Sequence, residues 1–255
     1  MELLVLGSSD AFNGAARCHA AYVLRDEGLP SIAIDFGATS LYALRRQGLS
    51  GLDLGAVLIT HLHGDHFGGL PFLLLDAMYH EPRTTPLELA GALGLGKRLD
   101  ALMNALYVDI ASRPRPFETR LTEIAPGEVH QIAGYRVEAF AADHMDPPDV
   151  PLCLRVTGPS GKTVAFSGDT ELCDGFLAAS RGADLLVAEC TGMRPPCGRH
   201  LSWENWRELI TQAGARRIVL SHLSREVRDN IPQLLAQAPS HIDLTFADDG
   251  LRIQL

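Results

Sequence analysis

Residues 60–66 read Thr-His-Leu-His-Gly-Asp-His, placing three imidazoles and a carboxylate within six positions. They follow the apolar run Ala56-Val57-Leu58-Ile59, which reads as a buried strand bounded by turn signals. A loop of this content at a strand end is a metal-site candidate. Imidazole nitrogen and carboxylate oxygen suit a borderline divalent ion such as zinc, and a catalytic zinc keeps one position open for water. In an extended segment His61 and His63 point the same way, whereas Asp65 and His66 lie beyond the bend at Gly64. One ion cannot gather all four, so the loop predicts two adjacent ions.

The rest of the chain predicts an alternating α/β framework for that loop. Strands are expected at Glu2 to Leu6, Ala20 to Leu24, Ser31 to Ile34 and Tyr135 to Ala141, with a hairpin of Leu152 to Thr157 and Thr163 to Ser167. Two further apolar runs, Leu185 to Ala188 and Arg217 to Leu220, read as buried strands. Helical spacing or capping points to helices around Leu41 to Leu49, Gly69 to Tyr79, Gly96 to Tyr107, Cys173 to Arg181, Trp203 to Ala213 and Glu226 to Gln237. Asp248-Asp249-Gly250 reads as the turn of a closing hairpin. From His80 to Pro126 the pattern is weak. No linker interrupts the 255 residues, so one domain, 1–255, is expected.

The string HLHGDHFGGLPFLL, residues 61–74, resembles the signature of the metallo-β-lactamase-fold hydrolases, and in this longer form most resembles their ribonuclease Z-like phosphodiesterase branch. The resemblance implies a four-layer αββα sandwich of two mixed sheets flanked by helices. It also implies that the first loop, Gly7-Ser8-Ser9-Asp10, lies on the same rim as the metals.

Other candidates stand at strand ends. His144, after the Tyr135 strand, is the expected third nitrogen for the ion held by His61 and His63, the alternative being an ordinary loop histidine. Asp169 in Ser167-Gly168-Asp169-Thr170 can approach closely past its glycine and bridge the ions, one oxygen to each, or cap the next helix. The SGDT string matches the family, in which this aspartate is the shared ligand. His222 in Ser221-His222-Leu223-Ser224 completes a second group with Asp65, His66 and Asp169. Asp35 is read as a cap or loop brace before a second-nitrogen partner for a histidine. Glu189 resembles a family glutamate that braces polar groups without ligating. His200, before the Ser202 cap, resembles the histidine that protonates the leaving oxygen in the phosphodiesterase branch.

Seven ligands, His61, His63, Asp65, His66, His144, Asp169 and His222, thus predict two divalent ions, most simply Zn2+, with Mn2+ or Fe as alternatives. Asp65 and His200 are the catalytic candidates around a metal-activated hydroxide. No GxSxG nucleophile is present.

Charge narrows the partners. A formal net charge of −9, with only short basic groups, argues against gripping long nucleic acid, whose phosphates need neutralising. The protruding basic arm of tRNA-processing ribonucleases Z has no counterpart in the sequence. The expected substrate is therefore a small or cyclic anionic phosphodiester, with tRNA disfavoured and a homodimer allowed. Thioester, lactone or β-lactam hydrolysis, or metal binding without turnover, are the other readings. Five cysteines form no CxxC pair, and no segment reaches the ~20 apolar residues of a membrane span, which points to the cytoplasm.

Overall fold

A computed structural model describes all 255 residues. The chain forms strands β1 (Glu2–Gly7), β2 (Ala21–Arg25) and β3 (Ser31–Ile34), helix α1 (Ser40–Arg46) and strand β4 (Leu54–Ile59). The histidine-rich loop opens into α2 (Gly64–Phe67) and α3 (Leu70–Leu75), followed by β5 (Leu87–Ala92), α4 (Leu95–Leu106) and β6 (Thr119–Ile124). Then come β7 (Val129–Ile132), β8 (Tyr135–Ala141), β9 (Leu152–Thr157), β10 (Thr163–Phe166), α5 (Asp174–Ser180) and β11 (Leu185–Glu189). The chain closes through α6 (Trp203–Leu209), β12 (Arg217–Ser221), α7 (Arg225–Asp229), α8 (Ile231–Gln237), β13 (Asp243–Phe246) and β14 (Arg252–Gln254).

Two seven-stranded mixed sheets result, ordered β14-β1-β2-β3-β4-β5-β6 and β13-β12-β11-β10-β9-β8-β7, with helices on their flanks. Both combine antiparallel and parallel pairs. The continuous apolar runs are explained by coverage on both faces. Along β11, Leu185 and Val187 join the core shared with the first sheet, while Leu186 and Ala188 join a second core holding Phe176 and Trp206 of α5 and α6. Strand β12 splits the same way, Val219 inward and Ile218 with Leu220 outward.

Several expectations change. The terminal hairpin is absent, because β13 pairs in parallel with β12 in one sheet and β14 pairs antiparallel with β1 in the other. The turn at Asp248 carries the chain between sheets: Asp249 accepts from Ser8 Oγ at 2.8 Å and from the Cys18 amide at 2.9 Å. The helix expected from Glu226 to Gln237 breaks at Asn230, and Pro232 occupies the first turn of α8. The Trp203 helix ends at Leu209 rather than Ala213. Strands β6 and β7 lie at the sheet edges within or near the weakly patterned stretch.

The parallel strands set the site. The carboxyl ends of β3, β4, β10, β11 and β12 lead into Asp35, His61, Asp169, Cys190 and His222, at one rim of the sandwich where ligands of parallel sheets collect. Two backbone bonds tie the sheets there, from Leu152 N to Thr60 O at 2.9 Å and from Leu223 N to Ser8 O at 2.9 Å.

Candidate metal centre

Side chains from four separate loops converge on this rim as two contiguous groups of possible ligand atoms, His61 with His63 and His144, and Asp65 with His66, Asp169 and His222. In the first, His63 Nδ1 lies 3.2 Å from His61 Nε2 and 3.0 Å from His144 Nε2. In the second, His66 Nε2 lies 3.3 Å from both Asp65 Oδ2 and Asp169 Oδ2, and His222 Nε2 stands 3.4 and 3.3 Å from the same two oxygens. The groups meet at Asp169 Oδ2, which is also 3.7 Å from His61 Nε2 and from His144 Nε2. The expectation from sequence is one Asp169 oxygen for each ion. Here a single oxygen faces both groups.

In His61, His66, His144 and His222 the outward nitrogen is occupied, which fixes the inward one as the acceptor. His144 Nδ1 donates to Arg199 O at 2.8 Å and His66 Nδ1 to Asp35 Oδ2 at 2.8 Å. Thr60 Oγ1 gives its proton to Asp35 and accepts from His61 Nδ1 at 3.1 Å. Thr191 Oγ1 gives its proton to Glu189 Oε2 at 2.6 Å and accepts from His222 Nδ1 at 2.9 Å. Two buried carboxylates thus each hold one imidazole directly and a second through a threonine hydroxyl, since Glu189 also receives His200 Nδ1 at 3.0 Å.

Asp35 is therefore not the cap of α1, a position taken by Thr39. It braces the metal loop through the Thr60 amide at 2.8 Å and holds His66 besides. Asp35 and His222 both adopt left-handed backbone, φ 57° and 53°. Such strain costs about 1–3 kcal/mol per residue and persists where the surroundings over-determine it.

Electrostatics asks for positive charge here. Burial pushes His61 and His63 down, leaving them neutral. Burial would also lower His66 and His222, but Asp169 draws both upward, with Asp35 acting further on His66 and Asp65 on His222. Burial works against ionisation of Asp65 and Asp169, yet the adjoining imidazoles hold both carboxyls well below the usual range. His66 Nε2 is buried with no hydrogen-bond partner. An orphaned ring nitrogen beside two carboxylate oxygens, next to three converging imidazoles, fits a pair of divalent cations.

His200 stands beside these groups. Its ring centre lies 4.7 Å from that of His144 and 5.5 Å from that of His222, and its Nδ1 lies 3.9 Å from Asp169 Oδ2. Burial would lower its pKa, but the hydrogen bond and charge of Glu189, aided by Asp169, raise it to about 9. Ser202 and Asn205 form a reciprocal capping box just after it, with Asn205 serving in place of the usual Glu. The Gly7–Asp10 loop joins the rim by pairing with Leu223, next to His222.

All seven sequence-derived ligand candidates come together, and His200 adjoins them. Thr60 and Thr191 are supports of the site that no sequence motif marks. Their only signal was adjacency, Thr60 directly before His61 and Thr191 two residues after Glu189.

Residues 33–223 match a family model described as beta-lactamase superfamily domain. The chain is 30% identical over 265 residues to an uncharacterized protein of Mycobacterium leprae, covering 100% of this chain and 89% of that protein. It is 28% identical over 311 residues to a Ribonuclease Z of Gemmatimonas aurantiaca, covering 100% and 96%. Among solved structures, the short form of human tRNase Z superposes with a TM-score of 0.77 at 23% identity, covering 100% of this chain and 99% of that one.

Proposed function

The chain belongs to the beta-lactamase superfamily, and from that premise we propose that it is a dinuclear metal-dependent phosphodiesterase acting on a small or cyclic phosphodiester. His61, His63 and His144 would hold one ion, and Asp65, His66 and His222 the other, with Asp169 Oδ2 common to both. Five imidazoles and two carboxylates suit zinc among divalent ions. When bound, the two ions acidify a water and neutralise charge on the phosphoryl oxygens.

The observation that carries this reading is the His200–Glu189 pair at 3.0 Å, set against the metal-facing imidazoles. Cleaving a phosphodiester expels an alkoxide, which needs a proton. An imidazolium kept charged to about pH 9 by Glu189 can donate from Nε2, because Nδ1 is already committed. A thiolate leaves without such help, so thioester hydrolysis gives His200 no task. Asp65, held ionised by His222 and His66 despite its burial, is suited to accept a hydrogen bond from the attacking water and to orient it.

Similarity to Ribonuclease Z along the whole chain favours a second reading, tRNA 3′-end cleavage. That alignment runs over 311 positions against 255 residues here, so the relative carries stretches without counterpart in this chain. The smaller frame and the net charge of −9 support the small-substrate reading.

The test is a panel on zinc-replete protein comprising bis-p-nitrophenyl phosphate, 2′,3′- and 3′,5′-cyclic nucleotides, pre-tRNA, a thioester and a β-lactam. Turnover of the diesters, lost in Asp65→Ala and in Asp169→Ala, is the expected result. Preferential cleavage of pre-tRNA at low concentration would transfer the assignment to the second reading, and no turnover of any member would overturn both.

A further inference from the structure

Two clefts of about 380 Å³ open beside the metal-facing loops, and they differ in charge. That volume lies within the roughly 300–1,000 Å³ typical of small-molecule sites. One cleft contains His200, together with Asp143, Glu171, Pro195, Pro196 and Asn205. Its basic neighbour Arg199 is consumed by Asp143 and Asp146. The Glu171 carboxylate has no cationic partner, so this cleft is acidic.

The other cleft begins at Leu62, between His61 and His63, and continues over Leu93, Lys97, Arg98, Pro148 and Asp149. Its place follows from the sheet. Strand β5 runs parallel to β4 in the register Ile59 to Gly91, so the loop after β5 emerges beside the metal loop. Arg98 is fixed by both oxygens of Asp149 at 3.1 and 3.2 Å, which neutralises that carboxylate. Lys97 sits in the first turn of α4, exposed and without an acidic partner. The walls from Leu62, Leu93 and Pro148 are apolar, and the one uncompensated charge is the ammonium.

Resting on the phosphodiesterase reading, we infer that the Leu62–Lys97–Pro148 cleft is a subsite for a second anionic group, on the part of the substrate that keeps the phosphate. The substrate class is then a phosphodiester bearing a further phosphate or carboxylate on its retained side, with a neutral, hydroxyl-bearing leaving group. Charge complementarity fixes this polarity: a leaving group carrying a second anion would meet Glu171 beside His200, whereas a retained anion meets Lys97.

The experiment compares thymidine 5′-(p-nitrophenyl phosphate) with its 3′-phosphorylated counterpart on zinc-loaded protein, and in parallel titrates thymidine 5′-monophosphate and thymidine 3′,5′-bisphosphate by calorimetry. Wild type is expected to show a KM at least tenfold lower for the 3′-phosphorylated ester and a matching Kd ratio for the bisphosphate. Lys97→Glu is expected to bring both ratios to one or below, and Lys97→Arg to preserve them. Ratios near one in wild type, or ratios unmoved in Lys97→Glu, overturn the subsite. If neither ester is hydrolysed, the phosphodiesterase reading fails, and the calorimetric ratio still decides whether the cleft selects a second anion.

Discussion

Thr191 Oγ1 accepts from His222 Nδ1 at 2.9 Å while giving its own proton to Glu189 Oε2 at 2.6 Å. The hydroxyl thus sets the tautomer that leaves His222 Nε2 bare toward Asp65 and Asp169. It also joins His222 to His200, since Glu189 holds both. Thr60 stands in the same relation to His61 and Asp35.

Thr191→Val keeps the shape and removes the acceptor, so about 10- to 100-fold of metal affinity is expected to be lost at the group containing His222. Thr191→Ser should restore most of it. Chelator competition monitored on the cobalt-substituted protein reads this directly, and an unchanged affinity in Thr191→Val would remove the hydroxyl from the support of the site.

Asp35 is 2% exposed and accepts from His66 Nδ1, the Thr60 amide and Thr60 Oγ1. Asparagine tolerates its left-handed backbone, φ 57°, but turns an amide toward one of those donors. Asp35→Asn is expected to destabilise the fold by about 1–3 kcal/mol in urea denaturation. It should also weaken metal binding at His66.

The His200–Glu189 pair gives a pH signature. A histidine with a raised pKa keeps its proton below that value, so leaving-group protonation is available up to about pH 9 and is lost as pH rises through it. For a cyclic nucleotide, whose leaving group is an alkoxide, kcat is expected to fall above about pH 9. In Glu189→Gln this limb should move toward the ordinary histidine value of about 6.5. His200→Ala should cost about 10²–10⁴-fold on that substrate and far less on bis-p-nitrophenyl phosphate, whose phenolate departs unaided. Equal losses on both substrates would assign His200 to binding instead.

Metal removal is expected to lower stability as well as activity, because ions that bind only the folded chain stabilise it by mass action, about 4 kcal/mol at a thousandfold excess over Kd. Dialysis against chelator should lower Tm, and two equivalents of zinc should restore it. Elemental analysis giving one tightly held ion per chain would rule out the shared role of Asp169.

The site was more legible in the sequence than its supports. His61, His63, Asp65 and His66 announce themselves by density, and His144, Asp169 and His222 by following apolar strands. Asp35 and Thr191 belong to residue types that commonly cap or turn, and which imidazole each meets depends on strand order. The fold class followed from the same apolar runs and the family signature. The last two strands misled because Asp248-Asp249-Gly250 makes the same local turn whether the chain folds back in one sheet or crosses to the other.

One constraint appears only once the backbones are placed. At Gly37 a Cβ would stand 1.8 Å from the carbonyl oxygen of Asp65 and 2.5 Å from its carbonyl carbon, well inside contact distance. The loop after β3 and the metal loop after β4 therefore pass each other with no room for a side chain, and both obstructing atoms are main chain. The Phe36 amide donates to His66 O at 2.6 Å and the Gly69 amide to Phe36 O at 2.8 Å, so the loops are also fastened together. Gly37→Ala must displace the backbone of Asp65, and with it His66, from the present position. Overpacking of this kind costs about 1–3 kcal/mol or more, and a displacement near 1 Å at a catalytic group costs about 100-fold in rate. The expected outcome is a folded protein of lowered Tm that keeps an ion at the three-histidine group, loses the one beside Asp65, and loses at least 100-fold in diester turnover. Full activity in Gly37→Ala would mean that the metal loop does not depend on this close approach.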